Sequence, residues 1–177
     1  DDSPAAVIRR KPQSSIVVGL RMQKEGEVDA FVSAGSTGAV MASSLFTLRP
    51  LPGVDRPPVG TLLPTAGELC LLLDAGANIG CKPEHLVQFA HLGSVYAKDT
   101  MERENPRVGL LNIGEEPGKG NDLTIEAHAL LAAEKGINFI GNIEGRDIVK
   151  GDCDVIVCDG FVGKVLLKFY ESVAGHI

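Results

Sequence analysis

Residues 68–78 read Glu68-Leu69-Cys70-Leu71-Leu72-Leu73-Asp74-Ala75-Gly76-Ala77-Asn78. The apolar stretch from Leu69 to Leu73 is unbroken, which suits a strand covered by helices on both faces, and such strands pair in parallel. It stops at small and polar residues. Pro83-Glu84 then opens a helix whose Leu86, Phe89, Ala90, Gly93 and Tyr96 recur at helical spacing. Strand, polar turn and helix in that order form the unit of a parallel α/β sheet.

Downstream the unit repeats. Val108-Gly109-Leu110-Leu111 reads as a strand and Asn112–Gly120 as a polar loop; Asn121 caps a helix bearing Leu123, Ala127, Leu130 and Leu131, which Gly136 ends. Phe139-Ile140 starts a short strand. Asp154–Cys158 is the last, followed by Asp159-Gly160-Phe161-Val162-Gly163 and a helix. Upstream, Val59–Leu63 is a further strand, joined to the quoted run by Pro64–Gly67. Arg49–Pro58, with four prolines, is a loop. Asp29–Ser33 reads as a strand, Gly35–Gly38 as a glycine turn and Ala39–Leu48 as a helix. Ser3-Pro4 opens a helix to Lys11, and Ser14 or Ser15 caps another to Gly26, although Ile16-Val17-Val18 would also suit a strand. The expected architecture is three-layer α/β/α with a mainly parallel sheet, one continuous region over 1–177.

In such sheets ligands bind beyond the C-terminal strand ends. Four of these carry small and polar residues: Gly35-Ser36-Thr37-Gly38, Asp74–Lys82, Asn112–Asn121 and Asp159–Lys164. Glycines admit close backbone approach, helix starts offer N–H groups and positive dipole ends, and Lys82, Lys119 and Lys164 add charge. The set suits an oxyanion. No GxGxxG follows a strand, Gly114–Gly120 has the wrong spacing for a phosphate loop, and no GxSxG elbow occurs, so nucleotide binding and serine hydrolysis have no support.

The net charge of −6 argues against a nucleic-acid surface. Four cysteines lack CxxC spacing, His85 and His91 lie six apart on one helix, and no metal site is expected. Cys153 and Cys158, an odd number apart on one strand, are expected to face opposite ways. No apolar run is long enough to span a bilayer and the first residues do not read as a signal peptide, so the cytoplasm is the default.

Read as strings, DDSPAAVIRRKPQSS (1–15), DAFVSAGSTGAVMA (29–42), LLLDAGANIGCKPEHLVQFAHLGSVYA (71–97), NPRVGLLNIGEEPGKGN (105–121), INFIGNIEGRDI (137–148) and DVIVCDGFVGKVLLK (154–168) resemble the PlsX-type phosphate acyltransferases of bacterial phospholipid synthesis. The resemblance implies an isocitrate/isopropylmalate-dehydrogenase-like fold and a homodimer, cytosolic but peripherally membrane-associated. It implies a reaction without cofactor, in which inorganic phosphate attacks the thioester of acyl-carrier protein and yields acyl-phosphate. It also implies that this chain is the middle portion of a longer one, lacking amino- and carboxy-terminal parts.

On that footing Gly35, Ser36, Thr37 and Gly38 hold phosphate with Lys119 as charged partner, and Asn78 and Lys82 contact phosphate or oxyanion. Asn112, Asn121, Asp159 and Lys164 support them. Arg9, Arg10, Lys11 and Arg21 form the expected dock for the acidic carrier. Two positions depart from the family pattern: Gly80 replaces a common acidic residue, and Lys164 replaces Asn after DGFVG. Rival readings are a phosphotransacetylase-like enzyme using acyl-coenzyme A and a non-catalytic carrier-binding module. An oxidoreductase of this fold would need a metal-binding aspartate spacing that the sequence lacks.

Overall fold

The computed structural model describes residues 11–174. The chain divides into two compact units, Asp1–Asp55 and Arg56–Ile177. The expected helix from Ser3, and Arg9 and Arg10, lie outside the described residues.

The first unit carries helices α1 (Ser15–Glu25) and α2 (Thr37–Thr47). Ser14 caps α1, its hydroxyl accepting the Val17 N–H at 3.5 Å, and Gly26 closes it in the left-handed region at φ 76°. The cap settles the choice between helix and strand for Ile16–Val18. Asp29–Ser33, by contrast, is not a strand: it runs irregularly, with Val32 92% exposed. A strand exists only through a partner backbone, and no described residue pairs with this segment.

The second unit is built on strands β1 (Gly60–Leu63), β2 (Cys70–Leu73), β3 (Arg107–Asn112), β4 (Asn138–Glu144) and β5 (Val155–Val157). They lie in the order β1-β2-β5-β3-β4. The β1–β2 hairpin is antiparallel, with Leu62 opposite Leu71, and every other pairing is parallel. Helix α3 (Pro83–Thr100) and helix α4 (Asp122–Ala133) cover one face; α5 (Gly160–Ala174) lies on the other.

The burial follows the pleat. Leu71, Leu73, Val108, Leu110, Val155 and Val157 point to the α3/α4 side, meeting Leu86, Phe89, Ala90, Ala97, Ala127 and Leu131. Withdrawing Phe89 or Leu86 from water stabilises the fold by about 1.5–3 kcal/mol each. Leu72, Ile156 and Leu111 face the other way, where Leu166, Leu167 and Tyr170 of α5 pack.

Cys153 and Cys158 sit in this same second cluster rather than on opposite faces. Strict alternation holds only over Val155–Val157, and both cysteines flank the strand. At the strand starts, Asp154 accepts from the Arg107 backbone N–H (2.7 Å), Nε (3.0 Å) and Nη2 (3.1 Å). Burial pushes the Asp154 carboxyl up, but these bonds and the Arg107 charge outweigh it and hold the carboxyl below the usual range.

Candidate functional site

A buried carboxylate shapes the loop at the C-terminal end of β2, and a second carboxylate, Asp159, ties that loop to the one after β5. Asp74 is fully buried. Its Oδ1 accepts the N–H groups of Val59 (3.0 Å), Gly76 (3.0 Å) and Ala77 (2.9 Å). Its Oδ2 accepts the backbone N–H (2.7 Å) and side-chain Nδ2 (2.8 Å) of Asn78. Five donors on one carboxylate offset the cost of burying its charge and fix the turn from Ala75 to Asn78.

Asn78 Nδ2 donates a second time, to the Pro57 carbonyl at 3.0 Å. Both amide hydrogens are therefore spent within the loop, and in this geometry Asn78 offers no side-chain N–H to an outside anion. Sequence reasoning quoted Asp74 but gave it no role. The signal was present, since an acidic residue at a strand end, four before an Asn, is the pattern of a carboxylate folding the following amides onto itself.

Asp159 bridges outward. Its Oδ2 accepts the Cys81 N–H (2.8 Å) and its Oδ1 the Phe161 N–H (2.8 Å), while the Gly160 N–H reaches the Asn78 carbonyl (2.9 Å). The first turn of α5 thus presses on the β2 loop, closely enough that any Cβ on Gly163 would overlap the Asp74 carbonyl oxygen. This turn also spends its own amides at Gly160, Phe161 and Gly163, contrary to the expectation of an open helix start. Lys164 lays its aliphatic stem across Gly76; a Cβ there would stand 2.7 Å from its Cδ.

Lys82 is exposed at the start of α3. Its backbone N–H donates to Nδ1 of the buried His85 at 2.9 Å, which assigns the remaining ring proton to Nε2. Arg56 reaches the same loop, Nη1 donating to the Gly80 carbonyl at 3.4 Å. Nothing in a proline-rich segment marked this arginine for the site. Burial and then the Asp159 charge push the Cys81 thiol up to about 12, so it is a neutral thiol at physiological pH and not a thiolate nucleophile.

The β3–α4 loop is the second element. Asn112 Nδ2 donates to the Lys119 carbonyl (2.9 Å), and its Oδ1 accepts the Ile113 N–H (2.8 Å). Asn121 caps α4 through Thr124, with two bonds of 3.0 Å. The exposed Lys119 runs its stem over Gly114, 2.9 Å from where a Cβ would sit.

A relay that sequence reading missed anchors this loop from behind. Buried Asn142 donates to the Glu116 carbonyl (2.8 Å) while its Oδ1 meets His128 Nδ1 (3.0 Å). His128 is a link in that relay and meets Phe139 edge-on. Among the described residues Glu115, Glu144 and Asp147 form an acidic group, with Arg146 and Lys150 paired to it.

In the first unit, Gly35–Gly38 is an exposed turn entering α2, and Ser36 makes no capping bond with its side chain. Arg21 is exposed and donates to the Pro12 carbonyl at 3.5 Å.

Strand-end loops of this composition, set on a mostly parallel sheet, invite comparison with known proteins. Residues 1–177 match the family described as fatty acid synthesis protein. Phosphate acyltransferases of Heliobacterium modesticaldum and Desulforamulus reducens are 57% and 56% identical over the whole chain. That of Thermosynechococcus vestitus is 53% identical over 97% of it. The chain belongs to the PlsX-type phosphate acyltransferase family. It spans about half the length of these relatives, covering 51–53% of each.

Among solved structures, the EutD phosphotransacetylase from Staphylococcus aureus aligns with 97% of this chain and 62% of its own (TM-score 0.67, 20% identity). A phosphotransacetylase from Streptococcus pyogenes aligns with 89% and 54% (TM-score 0.69, 19% identity). At such identity the likeness concerns the fold, a three-layer α/β/α arrangement with a mixed, mostly parallel sheet. No helix of the described residues is long and apolar enough to cross a membrane.

Proposed function

We propose that the whole protein transfers an acyl group from the thioester of acyl-carrier protein to inorganic phosphate in lipid synthesis. A phosphate oxygen attacks the thioester carbon, a tetrahedral oxyanion forms, and the carbon–sulfur bond breaks as the carrier thiolate leaves and takes a proton. Phosphate is already nucleophilic, so the protein need only hold it, align the thioester and stabilise the oxyanion. What supports this reading is that the loops following β2, β5 and β3, parallel neighbours in the sheet, leave it at the same C-terminal end and carry Lys82, Lys164 and Lys119. Lys119 is the charged partner of the transferring phosphate, and Lys82 supports it. Asn78 serves as the clamp that shapes the turn, not as a donor to the anion. The Gly35–Gly38 turn, which enters α2, is assigned an anion-holding role because helix starts favour negative charge.

The same reading assigns the isocitrate/isopropylmalate-dehydrogenase-like kinship, the homodimer, the cytosolic and peripherally membrane-associated habit, and carrier docking on Arg9, Arg10, Lys11 and Arg21. The likeness to phosphotransacetylases favours one rival, an enzyme using acyl-coenzyme A. The test is phosphate-dependent thiol release by the complete gene product from carrier-bound and coenzyme-A-bound acyl groups, with acyl-phosphate trapped by hydroxylamine. Preference for the carrier supports the proposal; preference for coenzyme A supports the rival; thiol release without acyl-phosphate refutes both.

A further inference from the structure

Helix α5 turns Leu166 and Leu167 toward the sheet but leaves Phe161 60%, Val165 57% and Phe169 66% exposed. These three are four residues apart, so they form one stripe along the helix. Between the stripe and Leu111 runs a groove of about 400 Å³ in which Asn112 supplies the one polar side chain.

The groove does not end at random. Asn112 opens the β3–α4 loop and holds the Lys119 carbonyl, and the Phe161 N–H is bound by Asp159. One end therefore meets the polar loops while the rest is apolar. An occupant that is charged or polar at one end and aliphatic beyond satisfies both halves. A second copy of the chain would cover the stripe, but it would leave unexplained why the groove leads to the Lys119 loop.

We propose that this groove receives the aliphatic chain of the acyl thioester, and that Val165 and Phe169 set the chain length accepted. The inference rests on the acyl-transfer reading above. Each methylene withdrawn from water strengthens binding by up to about fourfold, so filling the groove discriminates between long and short chains.

The complete gene product carrying Val165→Trp is assayed with palmitoyl- and octanoyl-carrier. The ratio of kcat/KM for palmitoyl over octanoyl is expected to fall at least about tenfold from the parent value. Val165→Ala, a milder change if the tryptophan variant does not fold, is expected to lower the same ratio about threefold by loosening contact along the chain. An unchanged ratio in the folded variants overturns the proposal. So does a change confined to sedimentation mass, which assigns the stripe to a subunit contact instead. Absence of acyl-phosphate from the parent at every chain length is a distinct result, and sinks the acyl-transfer reading itself.

Discussion

At the scale of single residues, the polar and charged groups divide into those that shape the loops and those left facing solvent. Asp74, Asp159 and Asn78 are spent on backbone amides and carbonyls; Lys119 and Lys82 are exposed beside them. If Lys119 holds the transferring phosphate, Lys119→Ala in the complete protein should lower kcat/KM for acyl-phosphate formation about a hundredfold, the usual scale for one transition-state contact. Turnover within about twofold of the parent would remove it from the mechanism. Cys81 makes the opposite case, a reactive residue type silenced by its surroundings. With its thiol pushed up to about 12, the thiolate fraction at neutral pH is minute and grows tenfold for each unit of alkalinity. Peptide mapping after iodoacetamide treatment should show Cys81 slow near neutrality and accelerating steadily as pH rises. Labelling at the rate of a free cysteine near neutral pH would contradict the half-buried, acid-flanked setting. Residue types at strand ends singled out these loops, but not the division of labour within them: whether an amide faces a carbonyl or is left free is set by neighbours such as Pro57, distant in sequence from Asn78.

At the scale of elements, most boundaries were legible because local chemistry marks them. Pro83, Asn121, Ser14 and Gly26 begin or end helices where caps and prolines say they should. The apolar spacing of α3 located Leu86, Phe89 and Ala90 correctly, yet Tyr96 is 41% exposed and Ala97 is the buried neighbour. Leu130 on α4 is likewise 41% exposed while Leu131 is buried. Spacing fixes a stripe to within one residue, and the sheet beneath chooses its centre. Asp29–Ser33 failed for a deeper reason, since β-propensity says nothing about whether a partner is present. The contact between α5 and the β2 loop was invisible in the sequence as well. It yields a sharp expectation: Gly163→Ala drives a methyl into the Asp74 carbonyl, which is backbone and cannot swing aside. Overpacking of this kind costs about 1–3 kcal/mol. Denaturant unfolding should show at least that loss, with activity falling further than stability because the β2 and β5 loops separate. Gly80→Ala is a control of a different kind: it meets no atom, so its cost is confined to the positive φ of 71°.

At the scale of the whole second unit, the sheet has a loop-bearing end and a fastening end. The C-terminal strand ends carry the loops; the N-terminal ends carry Asp154 clamped by Arg107 across neighbouring strands, with Arg103 nearby and itself paired to Glu68. Because the Asp154 carboxyl is held below its unfolded value of about 3.9, the folded state binds its proton less readily than the unfolded chain does. Its contribution is therefore complete above the unfolded value and is lost as pH falls through the depressed folded one. Arg107 stays charged throughout, its guanidinium stabilised further by the Asp154 hydrogen bonds. Arg107 is 42% exposed, so solvent screens part of the attraction, and Asp154→Asn should cost about 1–3 kcal/mol near neutrality. Urea unfolding of parent and variant across pH reads the effect directly. The two should differ most near pH 7 and converge well below about pH 4, where the parent carboxyl is protonated and resembles the amide. A difference that persists undiminished into strong acid would mean that Asp154 acts through shape and neutral hydrogen bonding, and that charge pairing does not fasten this end of the sheet.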